Sequence, residues 1–108
     1  MTQKIARLED SPEYMAAKQK LQQLQEQRNE VAGRVTAIQG QLRSIDARCT
    51  DPLDAQAVSL LCDDEGKATE AAQLAAELRG LQERLQIIDR AMHWKADDIR
   101  MIKDALGW

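Results

Sequence analysis

Residues 31–48 read VAGRVTAIQGQLRSIDAR, and their spacing decides the fold. Val31, Val35, Ile38, Leu42 and Ile45 recur every three or four residues, the period that gathers side chains on one stripe of an α-helix. Read backward, the stripe takes in Tyr14, Ala17, Leu21, Leu24 and Arg28; read forward, it reaches Cys49. A run this long without a slip is a coiled-coil pattern. Ser11-Pro12-Glu13 supplies a start, with a hydroxyl to cap, proline at the first helical position and an acid in the first turn. The spacing therefore predicts a helix over 12–49. Arg28 is the one charged seam member. Its stem can lie along the seam with its head at the edge, or it can fix register as a lone polar seam residue does.

Roughly opposite this seam lie Gly33, Ala37, Gly40, Ser44 and Ala47. Each glycine costs up to about 1 kcal/mol in a helix interior relative to alanine. Two of them on a solvated face are a loss unless another backbone approaches closely there. The alternative is that they are tolerated on a free surface.

Thr50-Asp51-Pro52 ends the first helix and starts a second, with Asp51 as cap. A seam at the same spacing follows: Leu53, Ala57, Leu60, Asp64, Lys67, Ala71, Leu74, Leu78, Leu81, Leu85, Ile88, Met92, Lys95, Ile99, Ile102 and Leu106. Its phase never breaks, which favours one helix over 52–106. The string CDDEGKATE at 62–70 favours a kink or break at 64–68, with Gly66 closing one helix and Thr69 capping the next. The expected fold is thus all-α: a long antiparallel, coiled-coil-like hairpin in a single domain, with a break near Gly66. A direct reversal at 50–52 would set Cys49 against Leu53 and Tyr14 against Ile88. Residues 2–10 would add an N-terminal arm, a short amphipathic turn with Ile5 and Leu8 inward.

From residue 87 a second apolar row joins the seam: Ile87, Trp94, Met101 and Trp108, seven apart, flanked by Ala91 and Ala105. The matching positions upstream are Ser59, Gly66, Gln73 and Gly80. A wider apolar arc calls for more than one neighbour. The N-terminal arm or a second copy of the chain could supply it. The Ala-rich stretch Ala68, Ala71, Ala72, Ala75 and Ala76 points to close packing as well.

Composition agrees with long helices. Of 108 residues, sixteen are Ala and twelve Gln, against five Gly, two Pro and no Phe. The net charge of −3 argues against nucleic-acid binding, although Lys18, Lys20, Arg34, Arg43 and Arg48 leave that reading open to a salt titration. Residues 51–66 carry Asp51, Asp54, Asp63, Asp64 and Glu65 and no base. The start MTQKIARLED has no secretory core, and no run is apolar enough for a membrane span. A reduced, cytoplasmic setting is expected, with Cys49 and Cys62 as free thiols.

No stretch carries catalytic chemistry: there is no phosphate loop and no nucleophile beside a base, so an enzyme, a catalytic residue or a cofactor is not expected. Asp89, His93 and Asp97 share a helix face, but three ligands on successive turns of one helix rarely converge, and no metal site is expected. The acidic run lacks calcium-loop spacing and reads as capping plus solvated charge. Cys49 reads as a small apolar filler.

Two functional expectations follow. The first is a self-associating hairpin, most simply a homodimer forming a four-helix bundle, in a structural or adaptor role. Its contacts would come from Gly33, Ala37, Gly40, Ser44, Ile87, Trp94, Met101 and Trp108. The second is a small binding module of chaperone or inhibitor type. It would hold one protein through the 87–108 face or the acidic 51–65 tip.

Overall fold

The computed structural model describes residues 7–107. A 3-10 turn, Leu8–Asp10, leads into three helices: α1 (Pro12–Ile45), α2 (Pro52–Leu61) and α3 (Glu65–Ala105). There is no strand among the described residues, and the chain is an all-α helical hairpin with α1 and α3 as its long arms. No described helix is long and apolar enough to cross a membrane. Of the expected N-terminal arm, Leu8 is half-buried in the 3-10 turn, and Ile5 lies outside the described residues.

Each helix boundary has a local cause. Ser11 caps α1: its Oγ accepts the Tyr14 N–H at 3.3 Å and its carbonyl accepts the Met15 N–H. The expected helix to residue 49 stops at Ile45 instead. There the Asp46 carboxylate accepts the Arg48 backbone N–H at 2.8 Å, and the Asp46 carbonyl accepts the Cys49 N–H. An Asp that bonds its own backbone two residues on offers the chain a turn in place of helix. Asp51 caps α2 as expected, accepting the Asp54 N–H at 2.8 Å with Pro52 at the first position.

The chain does break before α3, but at 62–64. Asp64 is the cap there, accepting the N–H groups of Gly66 and Lys67 at 2.8 and 3.2 Å. Gly66 closes no helix and Thr69 caps none; both lie inside α3. A methyl at Gly66 would stand 3.2 Å from the capping oxygen of Asp64, close enough that the carboxylate would have to give by a few tenths of an ångström. α3 ends at Ala105, and Gly107 just beyond it has a φ of 79°, the left-handed conformation that closes helices and that glycine adopts without a Cβ penalty.

The helices form two compact units. In the first, Asn29–Gln86, the nine buried residues Val35, Ile38, Leu42, Cys49, Ala55, Val58, Ala71, Ala75 and Leu78 make one continuous core. Three helices contribute. α2 offers only its small side chains, Ala55 and Val58, and meets α3 where Ala71 and Ala75 are fully covered. Small residues on both sides let the two backbones lie close. Arg34 ties the long arms on the outside, donating from Nε and Nη2 to Glu77 Oε1 at 3.0 and 2.9 Å.

The second unit holds residues 7–28 and 87–107, the start of α1 and the end of α3 running antiparallel. Tyr14, Ala17 and Ile88 are buried, with Ser11 under the capping turn. Lys18 and Lys103 each place Nζ 5.9 Å from the centre of the Tyr14 ring, a cation–π arrangement. Arg28 is half-buried along the seam, and its Nε donates to Asp89 Oδ1 at 2.6 Å across the two helices.

The register differs from that of a direct reversal. Tyr14 lies beside Lys103, about four turns further along α3 than Ile88. The reason is that residues 46–64 are spent on a loop, α2 and a second loop rather than on a tight turn. As a result 87–105 does not overhang α1; it runs alongside the first turns of α1. The α2 seam is also turned about. Leu53, Ala57 and Leu60 face outward, while Ala55 and Val58 face the core.

Candidate functional site

In the unit of residues 7–28 and 87–107, α3 presents Ile88, Met92, Lys95, Ile99 and Ile102 as buried or half-buried side chains. These are the positions the heptad pattern assigns to the hairpin seam. At 100° per residue, Ile87, Trp94 and Met101 fall on a different face, each about 20° from the next. They stay 69%, 59% and 62% exposed. Large apolar side chains repeated every seven residues, and left in water, form an unpartnered coiled-coil stripe. The rim of the stripe is charged. Asp97 pairs with Arg100 and Asp98 with Lys95, while the His93 ring meets the Trp94 indole edge-on at 5.6 Å. Ala91 is half-covered and Ala105 exposed beside the row. Trp108, the next step in the spacing, lies outside the described residues.

The small-residue face of α1 belongs to the other unit. Gly33, Ala37, Gly40, Ser44 and Ala47 are all exposed. A Cβ added at Gly33 or Gly40 would meet nothing within 4 Å, so neither glycine is required by packing inside the chain. The Ser44 hydroxyl donates to the Gly40 carbonyl at 3.1 Å and faces along its own helix. The expected interface residues thus fall into two separate sets: an apolar row and a bare backbone face.

The other candidates resolve into structural roles. Asp89 is engaged by Arg28 and Asp97 by Arg100, so both carboxylates flanking His93 already have cations. Among the described residues no cluster of three or more His, Cys, Asp or Glu side chains could hold a metal. In the acidic run, Asp51 and Asp64 cap helices and Asp54 accepts the Thr50 hydroxyl. Both cysteines are free thiols. Burial pushes the Cys49 thiol above its usual pKa, with Asp46 and Asp54 adding to the effect, as befits a core filler. At the end of α1, Arg48 clamps Asp46 with its side chain and its backbone N–H, and the Asp46 carboxyl falls to about 2.

One surface was not singled out by the sequence as an exposed face: the outer side of α2, with Leu53, Leu60 and Leu61 in solvent. The signal for it was present. Caps at Asp51 and Asp64 leave room for a helix of only ten residues, apolar on nearly every side, and such a helix must bare something.

Compared with protein-family models, with curated proteins and with solved structures, the chain gives no match.

Proposed function

We propose that this chain is a non-enzymatic, self-associating helical protein with a structural or adaptor role, and that copies join through the row Ile87, Trp94 and Met101. The observation that carries the reading is the exposure of those three side chains at heptad spacing, on a helix whose other face is already committed to α1. The stripe is self-complementary about its centre. An antiparallel second copy with its two-fold axis at Trp94 sets Ile87 of each copy against Met101 of the other. The same arrangement brings Arg90 of one copy alongside Asp97 of the other, twice. Opposite charges flanking an apolar seam are what fix orientation in coiled coils.

Magnitudes set the strength. Six half-exposed large side chains yield on the order of 9 kcal/mol on burial, from about 1.5 kcal/mol each. Association costs roughly 4–15 kcal/mol in lost freedom. At the low end of that cost about 5 kcal/mol remains, a weak, concentration-dependent dimer that dissociates at roughly hundreds of micromolar. Sedimentation equilibrium of the full chain from 1 µM to 1 mM tests this. The expected result is a reversible dimer whose dissociation constant rises at least tenfold in Trp94→Ala, with helix content unchanged. A chain that stays monomeric at 1 mM sinks the reading.

A further inference from the structure

A different surface is also left bare. α2 is a ten-residue helix whose inner face, Ala55 and Val58, is buried in the core. Its outer face carries Leu53, Ala57 and Leu60 at i, i+4 and i+7, with Leu61 at the border. The leucines are 76%, 88% and 62% exposed, Leu60 more than any other large apolar side chain among the described residues. This stripe is in phase with the heptads of α3, yet among the described residues no element covers it. Exposed side chains such as these add little to the stability of the free chain.

We propose that the outer face of α2 docks an amphipathic helix of a different protein, one whose apolar stripe is flanked by Lys and Arg. Charge selects that occupant. Residues 51–66 hold five acids and no base. Two grooves border α2: one includes Asp51, Leu53 and Gln56 from its start, the other Leu61, Asp63 and Asp64 from its end, with Asp46. Basic side chains border them too. Arg79 reaches the first groove; Lys67 and Arg48 reach the second, but Arg48 is held by Asp46. The local balance remains acidic. A second copy fits poorly. An antiparallel α2–α2 pairing centred on Ala57 would bring Asp51 of each copy toward Asp63 of the other, and like charges so placed are repelled. Cationic flanks meet the same acids favourably and speed encounter at low salt. The face is about 15 Å long, which suits a few turns of partner helix and a modest affinity.

The test uses the full chain and two synthetic 18-residue amphipathic peptides with the same leucine stripe, one with Lys on its polar face and one with Glu. Binding is read by fluorescence anisotropy of the labelled peptide at 50 mM and 500 mM salt. The Lys peptide is expected to bind at least tenfold tighter than the Glu peptide, and to weaken severalfold in high salt. Leu53→Ser with Leu60→Ser is expected to cut its affinity at least tenfold at unchanged helix content, because both leucines lie outside the core. Equal affinity for the two peptides overturns the proposal, as does undiminished binding by the double variant. A chain whose self-association is abolished by that double variant overturns it as well, since the face would then be a contact between copies. None of these residues belongs to the Trp94 row, so either reading can fail without the other.

Discussion

The two units of this molecule contain the same two long helices and differ in one respect: only one of them has a third helix. In Asn29–Gln86, α2 closes the space between the arms, and nine side chains form a continuous core. In the unit of residues 7–28 and 87–107, two helices meet along one line. There Tyr14, Ala17 and Ile88 are the buried apolar residues, and Ile87, Trp94 and Met101 remain in water. A helix pair has a single contact seam, so any second apolar face stays open until something else covers it. The buried core lies mostly in the three-helix unit, while large apolar side chains stay exposed in both: Ile87, Trp94 and Met101 in one, Leu53, Leu60 and Leu61 on the outside of α2 in the other.

Core truncations should break that comparison most visibly. Ile38 is fully buried in the three-helix unit, and Ile38→Ala should destabilise the chain by about 2–5 kcal/mol, as buried large-to-small changes do. Ile88 sits in the two-helix unit beside far less buried apolar surface, and Ile88→Ala should cost clearly less because the site can relax. Urea unfolding of both variants measures the difference. Amide exchange then sharpens it: residues 12–28 and 87–105 should exchange through openings of lower free energy than 35–42 and 71–81. Equal protection throughout would show that the two-helix unit is as well held as the other.

That contrast was only half legible in the sequence. The α1 seam from Tyr14 to Ile45 was, because every one of its positions is buried or half-buried and the buried side is the patterned side. The break before α3 was legible as a region. Its chemistry was not, because Gly66 looked like a helix end while it in fact donates its N–H to the Asp64 cap. The stop at Ile45 depended on an Asp46 side chain turning back on its own backbone, which spacing does not report. The outward face of α2 was hidden for a deeper reason. Periodicity finds a stripe, but not the side on which its partner lies. On α2 the smaller residues Ala55 and Val58 go inward, where they join Ala71 and Ala75 of α3 in one core. The register missed for the same cause, since residues 46–64 form a third helix rather than a turn. Of the interface candidates, the row at 87, 94 and 101 was legible from its spacing alone, while the glycine face of α1 shows only that nothing in the chain fills it.

The glycines offer a smaller but cleaner probe of the three-helix unit. If the face of Gly33 and Gly40 is free, alanine at each fits without contact and raises helix propensity. Gly33→Ala and Gly40→Ala should then each stabilise the chain by up to about 1 kcal/mol, with no change in sedimentation. If copies approach each other on that face, the same substitutions weaken association, and the dissociation constant of the dimer rises. Thermal unfolding and sedimentation on the same samples separate the two outcomes.

The smallest expected effect is a pH dependence at the end of α1. The Asp46 carboxyl is lowered from 3.8 to about 2, first by the side-chain bonds from Arg48, then by the Arg48 backbone N–H. A carboxyl whose folded pKa is depressed favours the folded state above its unfolded value and loses that preference as the pH falls through the folded one. The contribution of Asp46 is therefore full at pH 5, declines below about 4 and is gone near 2. Because the pair sits at the surface, salt screens it and its share of total stability is small. Asp46→Asn keeps an oxygen for the Arg48 N–H but cannot titrate. Stability measured by urea at pH 5 and at pH 2.5 should therefore fall less in Asp46→Asn than in the parent chain. An identical fall in both would mean that Asp46 does not carry the acid sensitivity of the turn that ends α1.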